Sequence, residues 1–183
     1  MAILKVARLG HPVLRQLAAP VPLGRIRSAE TQRLIDDMIE TMREYNGAGL
    51  AGNQVHALKQ ICVIEVHGNP RYPDAEPVPY TELVNPVITA LTDELEEGWE
   101  GCLSVPNIFA DVTRANEIVV QALDRHGKPF ELRVDGLLAV CIQHEMDHLI
   151  GKLFVDYLSP LKRDLVRKKL EKQRKAAPEA AHA

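Results

Sequence analysis

A helix is indicated by apolar residues that recur every three or four positions between residues 28 and 45. This period places the apolar side chains on one face of an α-helix. Ser28 is a residue type that caps helix N-termini, and the pair Asn46-Gly47 favours termination. We therefore expect a helix here that packs one face on a sheet. The apolar positions are Leu34, Ile35, Met38, Ile39 and Met42.

Segments rich in Val, Ile and Thr predict strands further along the chain. Residues 59–66 and 82–91 have this composition, and residues 117–124 and 129–135 are expected to pair as a hairpin that turns at residues 125–128.

Two connecting segments are marked by prolines and glycines. Residues 68–80 contain four prolines, which predicts a stiff, irregular surface loop to which the sequence assigns no function. Residues 105–107 combine Val, Pro and Asn, and we expect them to turn the chain. The opening residues 9–15 mix breakers with apolar types and predict a loop with short turns, so His11 is expected to be structural.

The late apolar run at residues 137–149 predicts a helix that carries the strongest chemical signal in the chain. His144, Glu145 and His148 form a His-Glu-x-x-His motif within it. Residues four apart lie on one helix face, so both imidazoles can reach one metal ion while Glu145 points at an open coordination position. The alternative from these residues alone is a helix that carries two histidines by chance.

A catalytic site of this type usually needs a third protein ligand. Phe154 occupies the position where one metalloprotease pattern has its last histidine, and Glu171 lies in a run of lysines and arginines. Cys102 lies in a tight segment after Gly101 and offers a thiolate, which binds zinc or ferrous iron strongly. A thermolysin-like peptidase that uses Glu171, and a protein whose metal is purely structural, remain open alternatives.

The glycine-rich segment 47–54 ends in Gln54. It lacks the Lys-Ser/Thr pair of a phosphate-binding loop and the strand and helix context of a dinucleotide site. Glycines also allow a backbone to lie beside a substrate as an additional strand. The amide of Gln54 is a neutral donor of the kind that stabilises a developing oxyanion.

Three motifs together resemble the peptide deformylases, which remove the N-terminal formyl group from nascent bacterial proteins. They are EGCLS at residues 100–104, QHEMDHL at residues 143–149 and GAGLAGNQ at residues 47–54. The resemblance extends from about Leu9 to Leu161. It implies an α+β fold in which antiparallel strands pack around a central helix that carries the metal motif, with one helix near the N-terminus and one at the C-terminus.

The resemblance implies a metal site of Cys102, His144 and His148 that holds one divalent ion. Ferrous iron is implied in the cell, whereas the ligand set by itself also suits zinc, and nickel or cobalt could substitute. Glu145 is implied to take the proton of a metal-bound water and to pass it to the leaving amine. Gln54 and the backbone N–H of Leu103 are then expected to stabilise the formyl oxygen.

The substrate implied by the resemblance is a formyl-methionyl nascent peptide. An apolar slot for its methionine side chain would be lined by Ala48, Leu137, Val140 and Cys141, and the peptide backbone would bond to Gly49 and Gly101. Two positions depart from the family pattern. Gly52 replaces a usual alanine, for which we expect a looser loop, and Phe109 replaces an arginine that some relatives carry near the substrate.

An ion pair between Glu100 and Arg114 is expected to fix the segment around Cys102. The other two cysteines, Cys62 and Cys141, have no framework spacing, which fits a reducing compartment.

Length and net charge limit the number of domains and the classes of partner. The 183 residues suit a single domain over residues 1–175, and the net charge of -3 argues against general nucleic-acid binding. We expect neither a signal peptide, because the opening residues lack a long apolar core, nor a membrane-spanning segment, and we therefore expect a cytoplasmic protein. The resemblance suggests a monomer.

The C-terminal segment differs in character from the rest of the chain. Residues 160–175 predict a basic helix with a few leucines, which could contact ribosomal RNA or could simply be a solvated face. Residues 176–183 are expected to be a disordered tail.

Overall fold

The computed structural model describes residues 2–67 and 77–176, with side chains as far as residue 173. The described helices are α1 (Leu23–Ile26), α2 (Ala29–Glu44), α3 (Gly136–Leu149) and α4 (Pro160–Ala176). α2 begins as predicted, because the Ser28 hydroxyl accepts a hydrogen bond from Thr31 N at 3.3 Å. It ends before Asn46, whose positive φ of 51° leaves the helical region.

The described strands form two antiparallel sheets. The larger sheet has the order β1-β2-β3-β6-β7, and the smaller one pairs β4 with β5. The predicted hairpin is confirmed, since Leu123 pairs with Pro129 and Glu117 pairs with Asp135. The strands are β1 (Gly49–Ala51), β2 (Ile61–Val66), β3 (Val78–Leu91), β4 (Leu95–Cys102), β5 (Val105–Ala115), β6 (Glu117–Leu123) and β7 (Pro129–Asp135).

The larger sheet lies between two helices, and the sequence of β2 shows why. Ile61 and Val63 belong to one apolar cluster with Met38 of α2. Cys62 and Ile64 point to the opposite face and belong to a cluster with residues of α3. A strand covered on both faces is apolar at successive positions rather than at alternate ones, which accounts for the run Ile-Cys-Val-Ile.

A third apolar cluster joins the smaller sheet to the ends of the chain. Cys102, Val105 and Val112 pack there with Leu14 and with Phe154. Phe154 belongs to a 3₁₀ turn, Phe154–Tyr157, that follows α3. The cluster holds the end of β4 against the helix that carries the two motif histidines.

Three expectations about connections are wrong. β3 already begins at Val78, so part of the predicted 68–80 loop is strand, and residues 68–76 lie outside the described part. Residues 47–54 are not simply a loop, because they contain β1 and a 3₁₀ turn, Gly52–Val55. Val105 is paired with Cys102, so the chain turns at residues 103–104 and not at residues 105–107.

The edge position of β5 explains why Pro106 can lie within a strand instead of in a turn. Among the described strands β5 pairs only with β4. An edge strand tolerates proline because one row of its backbone N–H groups has no ladder partner. Asn107 still breaks the regular strand locally with a positive φ of 60°.

α4 is a helix as predicted, and its half-buried positions include Val166 and Leu170, which pack against the third cluster. Of the tail predicted at residues 176–183, Ala176 ends α4 and residues 177–183 lie outside the described part. No helix in the described part of the chain is both long and apolar enough to span a membrane.

Candidate metal centre and adjoining cleft

Cys102, His144 and His148 come together in the structure. One potential ligand atom from each lies within 4.8 Å of the other two, and all three residues are buried. The Cys102 Sγ is 3.3 Å from the His148 Nε2. Metal–sulfur and metal–nitrogen bonds of about 2.3 and 2.0 Å in a tetrahedral site require donor separations of this size. A sulfur and two imidazole nitrogens therefore fit a divalent ion, and within the described residues no fourth acidic, Cys or His ligand joins the group.

Two elements bring these ligands together. α3 follows β7 directly, and Gly136 makes the change of direction with a φ of +55°. The helix then presents His144 and His148 one turn apart, with ring centroids separated by 5.1 Å. Cys102 ends β4, where the register shifts after Gly101.

His144 is held from behind by an ionic network. Its Nδ1 is 2.8 Å from Glu100 Oε2, and Glu100 accepts two hydrogen bonds from Arg114 at 2.7 and 3.0 Å. The predicted Glu100–Arg114 pair is thus confirmed. Arg114 also donates to Asp147 at 2.6 Å and to the Tyr157 hydroxyl at 3.1 Å. A carboxylate on the second ring nitrogen orients a ligating histidine.

The network shifts the pKa values of its members in opposite directions. Burial raises the pKa of Glu100, but hydrogen bonds from His144 and Arg114 outweigh burial and lower it to about 2. Burial lowers the pKa of His144, yet hydrogen bonds with Cys102 and Glu100 hold it well above its usual value. For His148 burial dominates and lowers the pKa, which favours the neutral imidazole that binds metals.

Glu145 lies beside the metal ligands and is almost fully enclosed. Burial raises its pKa to about 7, and its Oε2 is buried without a hydrogen-bond partner among the described atoms. Gly49 of β1 packs against it so closely that an added Cβ would lie 2.8 Å from Glu145 Cγ. One oxygen of the carboxyl group is therefore not engaged by the described protein atoms.

Gln54 has its amide oriented by the backbone. Its Oε1 accepts a hydrogen bond from Ala51 N at 2.8 Å. This bond leaves the NH₂ group to donate to Ser104 Oγ at 3.2 Å and toward Cys102 Sγ at 3.4 Å. The side chain is a fixed donor beside the metal ligands.

One cleft connects nearly all the residues singled out in the sequence. His148 does not line it, being deeper in the protein. Trp99, Glu100 and Gly47 line the cleft although the sequence did not point to them for this purpose. Trp99 could have been found from its spacing, because residues two apart on a strand share a face and Gly101 was already a candidate. The predicted residues that line it are Ala48, Gly49, Gln54, Gly101, Cys102, Leu103, Leu137, Val140, Cys141, His144 and Glu145.

Gly52 and Phe109, the two residues that depart from the peptide deformylase pattern, both lie in close contacts. A Cβ on Gly52 would lie 2.6 Å from the carbonyl oxygens of Ala57 and Lys59. The expected looser loop is therefore wrong, because glycine here lets the backbone segments approach more closely. Phe109 packs its ring over Gly101, where an added Cβ would be 2.6 Å from Phe109 Cε1.

The residues set aside in the sequence lie elsewhere. His11 accepts a hydrogen bond from Val13 N at its own 3₁₀ turn, Pro12–Arg15. Glu171 is exposed on α4 and lines a different groove together with Arg163 and Arg167.

The fold and the site together point to a class. A mixed α+β protein brings a buried Cys-His-His group, a glutamate and a fixed amide donor to one cleft, and this set of side chains suits a hydrolase that could use a metal ion. The chain belongs to the polypeptide deformylase family, whose model matches residues 3–164. It is an enzyme of the hydrolase class.

Relatives and solved structures agree over nearly the full length. Peptide deformylase 2 of Xanthomonas axonopodis pv. citri is 53% identical over 175 residues, covering 96% of this chain and 98% of the relative. The peptide deformylase of Xylella fastidiosa strain 9a5c is 51% identical over 97% of this chain and 99% of the relative. These similarities confirm the resemblance drawn from the three motifs.

Two crystal structures give the corresponding match in three dimensions. The peptide deformylase of Legionella pneumophila has a TM-score of 0.86 and 42% identity, covering 98% of this chain and all of the other. The Met-Ala-Ser-bound class I type b peptide deformylase of Acinetobacter baumannii has a TM-score of 0.83 and 39% identity, and the match covers 86% of this chain and 99% of the other.

Proposed function

We propose that this enzyme hydrolyses the formamide bond of formyl-methionyl nascent polypeptides and releases formate. The observation that supports this most strongly is the convergence of Cys102, His144 and His148 with Glu145 at one end of a cleft. The family relationship supplies the reaction class, and the chemistry of these side chains supplies the roles that follow.

Cys102, His144 and His148 would hold one divalent ion. When bound, such an ion lowers the pKa of water and polarises a carbonyl oxygen. Ferrous iron is our choice for the ion in the cell, with zinc, nickel or cobalt as substitutes, because a thiolate and two imidazoles accept all of them.

Glu145 accepts the proton of the attacking water and delivers it to the amine nitrogen that leaves. Its buried Oε2 is free to do this, and a pKa raised by burial to about 7 lets it hold and release a proton near neutrality. The C–N bond of the formamide breaks, the formyl carbon keeps the water oxygen, and formate and a free amine result.

Gln54 and the backbone N–H of Leu103 stabilise the negative charge that develops on the formyl oxygen. The Gln54 amide is already oriented by Ala51 N. A donor fixed in advance needs no reorganisation during the reaction, and the loss of one such donor typically costs on the order of 10²–10³ in rate.

The methionine side chain occupies the apolar part of the cleft. Ala48, Leu137, Val140 and Cys141 line this part. Burial raises the pKa of the Cys141 thiol, so Cys141 contributes a neutral, apolar wall. Gly49 and Gly101 border the cleft with backbone that can bond to an extended peptide.

Formate release is the experiment that tests the proposal. The metal-loaded enzyme should release formate from formyl-Met-Ala-Ser in equal amounts with new free amine, and Cys102→Ala should not. Cleavage of the Met-Ala bond, or no reaction with any formyl-methionyl peptide, would contradict it.

Cobalt substitution provides a second measurement. A Cys102 thiolate ligand should give an intense sulfur-to-cobalt absorption that Cys102→Ala lacks. A spectrum without that band would show that Cys102 does not bind the metal and would contradict the proposed ligand set.

We also propose a partner for α4. Its exposed positions include Lys162, Lys168 and Lys172, and nascent formyl-methionyl chains emerge from the ribosome, whose RNA attracts basic helices. We further propose that the enzyme is a cytoplasmic monomer and that residues 1–175 form a single domain.

A further inference from the structure

The N-terminal segment of the chain reaches both groups that are proposed to stabilise the formyl oxygen. Residues 7–9, here called the N-terminal clip, belong to none of the described helices and strands. The backbone N–H of Ala7 donates to the Gln54 carbonyl oxygen at 2.7 Å. The Arg8 guanidinium donates to the Leu103 carbonyl oxygen at 2.7 Å. The clip therefore holds the backbone of two residues that are far apart in the sequence.

Leu103 lies in a turn that its own sequence does not stabilise. Cys102 pairs with Val105, so Leu103 and Ser104 are the two central residues of a tight turn between β4 and β5. Two-residue turns between antiparallel strands favour central residues with positive φ, because the twist of the turn then matches that of the strands. Neither Leu103 nor Ser104 is among the described residues with positive φ. The conformation of this turn therefore depends on contacts from outside it.

The N-terminal clip provides such contacts. Both central residues of the turn are buried, and a buried backbone carbonyl requires a hydrogen-bond partner. Arg8 binds the carbonyl of Leu103. The backbone N–H of Leu9 donates to the carbonyl of Ser104 at 2.8 Å. The N–H and the carbonyl of one residue are separated by two rotatable backbone bonds, so a fixed Leu103 carbonyl restricts the direction of the Leu103 N–H.

We propose that Arg8 is a positioning residue that keeps the Leu103 N–H directed at the formyl oxygen. This inference rests on the proposed deformylase function, in which that N–H stabilises the developing negative charge. Arg8 is not among the residues that line the cleft, so it acts through the turn and not by contact with the peptide. An oxyanion donor is effective because it is oriented before the reaction begins. Loss of the Arg8 bond therefore slows the chemical step and leaves peptide binding largely unchanged.

Ser104 connects the two oxyanion donors to each other. Its hydroxyl oxygen accepts a hydrogen bond from the Gln54 amide at 3.2 Å, and its carbonyl is held by the clip. A displaced turn would therefore disturb the Gln54 amide as well. Gln54 keeps its own bonds with the backbone N–H groups of Ala51 and Ala7, so the effect of losing Arg8 is smaller than the loss of both donors.

The test replaces Arg8 by methionine, which keeps an apolar stem and removes the hydrogen-bond donors. With the metal-loaded enzyme and formyl-Met-Ala-Ser, Arg8→Met should lower kcat by about ten- to a hundredfold, the range expected when a positioned group is misplaced. KM and the metal content should change little. Arg8→Lys can still donate to the Leu103 carbonyl, so it should recover most of kcat.

Arg27→Met is the matched control. Arg27 is also exposed, and its Nε donates to the backbone carbonyl of His126 at 2.7 Å. His126 belongs to the turn between β6 and β7, none of whose residues lines the cleft. Arg27→Met should keep the kcat of the unmodified enzyme. Both methionine variants should unfold at similar temperatures, so that the difference in kcat reports on the turn that holds Leu103.

A thioformyl-Met-Ala-Ser substrate gives a readout that a purely structural role would not change. Sulfur accepts hydrogen bonds weakly, so the oxyanion donors assist this substrate less than the formyl peptide. With the same metal in all variants, the ratio of formyl to thioformyl rates should be lower in Arg8→Met than in the unmodified enzyme. Arg27→Met should keep the ratio.

Two outcomes would overturn the inference. One is a kcat of Arg8→Met equal to that of Arg27→Met. The other is a lower kcat with an unchanged formyl-to-thioformyl ratio, which would limit Arg8 to anchoring the N-terminal segment. Formate release by the unmodified enzyme separates both outcomes from a failure of the proposed function. If the unmodified enzyme releases no formate from any formyl-methionyl peptide, the proposed function itself fails, and this inference fails with it.

Discussion

In the proposed mechanism, Glu145 serves the reaction at the expense of the stability of the folded state. Its carboxyl group is buried, so its pKa rises to about 7, and one oxygen has no hydrogen-bond partner among the described atoms. A buried polar group without a partner costs on the order of 1–3 kcal/mol. The same isolation gives a base that titrates near neutral pH, which is favourable for proton transfer.

Glu145→Gln should keep the metal and the fold but lose most of the activity. Glutamine has nearly the same shape, yet it cannot accept the proton from water. We expect kcat to fall by on the order of 10²–10⁴, the usual contribution of a general base, with metal content unchanged by elemental analysis. A kcat within tenfold of the unmodified enzyme would assign the proton transfer to another group.

The stability of the metal-free protein should depend on pH through the same side chain. The folded-state pKa of about 7 lies above the ordinary glutamate pKa of 4.5, so the folded state binds the proton more tightly than the unfolded state does. The favourable contribution is therefore complete below about pH 4 and is lost as pH rises through about 7.

Thermal unfolding of the metal-free protein measures this effect. Between pH 5 and pH 8, taken as roughly the window given by these pKa values, the unmodified protein should lose stability relative to Glu145→Gln. Parallel curves for the two proteins would show that the carboxyl group is hydrated when the metal is absent.

At the level of elements, the 3₁₀ turn Gly52–Val55 depends on a close approach of its first residue to the backbone of residues 57–59. Gly52→Ala should destabilise the protein by about 1–3 kcal/mol, the usual cost of overpacking. The reason is that the new Cβ would meet two carbonyl oxygens at 2.6 Å. Chemical denaturation should show this destabilisation, and displacement of Gln54 should lower kcat.

Gly24→Ala is the matched control for this substitution. An added Cβ at Gly24 of α1 would meet nothing within 4 Å, so its stability should change by less than about 0.5 kcal/mol, as at most surface positions. If Gly52→Ala behaves like Gly24→Ala, the loop relaxes more easily than these distances indicate.

The elements that sequence reasoning predicted well are those with a long, regular pattern. α2 has five apolar residues at helical spacing and a Ser28 cap, and both features are present. The hairpin of β6 and β7 has a turn with Gly127 in a positive φ of 78°. In these segments local preference and tertiary packing favour the same structure.

The elements that were missed are defined by partners distant in sequence. β1 is only Gly49–Ala51, too short for any period to show, and it exists because it pairs with β2. The turn at residues 103–104 is fixed by the pairing of Cys102 with Val105. Trp99 was missed as a cleft residue because residues 95–102 were not assigned to a strand from the sequence, and only that assignment places Trp99 on the same face as Gly101.

For the whole molecule, the ligands of the candidate metal come from two different parts of the fold, which already contact each other through Glu100–His144 and Arg114–Asp147. Cys102 belongs to the smaller sheet, and His144 and His148 belong to the helix packed on the larger sheet. A metal ion bound to all three residues would link the two sheets. It would stabilise the folded state, because a ligand that binds only the folded protein shifts the equilibrium toward it. The resemblance carried by the three motifs pointed to these ligands from the sequence alone. The enclosure of the group by Glu100 and Arg114 followed from the ion pair expected between them.

The basic helix α4 allows a prediction about the enzyme in its cellular setting. Replacing the exposed Lys168 and Lys172 by alanine should weaken ribosome binding, and log K should fall less steeply with log salt concentration, by about 0.7–0.9 for each phosphate that is no longer neutralised. Val166 and Leu170 remain to hold the helix on the body, so cleavage of a free formyl peptide should be unaffected. Sedimentation with ribosomes at several salt concentrations measures this.

The outcome that would contradict the prediction is an unchanged affinity and salt slope, which would leave α4 as a solvated face. Exchanging Arg25 and Glu30, an exposed ion pair far along the chain from α4, gives a control in which the total charge is kept and ribosome binding should persist.

The close approach of Gly49 to Glu145 has a consequence for how this enzyme can diverge. In the proposed mechanism, the short strand that would border the peptide also forms the wall behind the carboxylate assigned to proton transfer, and there is no space between them for one additional methyl group. A mutation that reshapes the path of the peptide at this strand must therefore also displace the carboxylate. Selection for new substrates is consequently restricted to the opposite border of the cleft, where side chains can be exchanged while proton transfer is left intact.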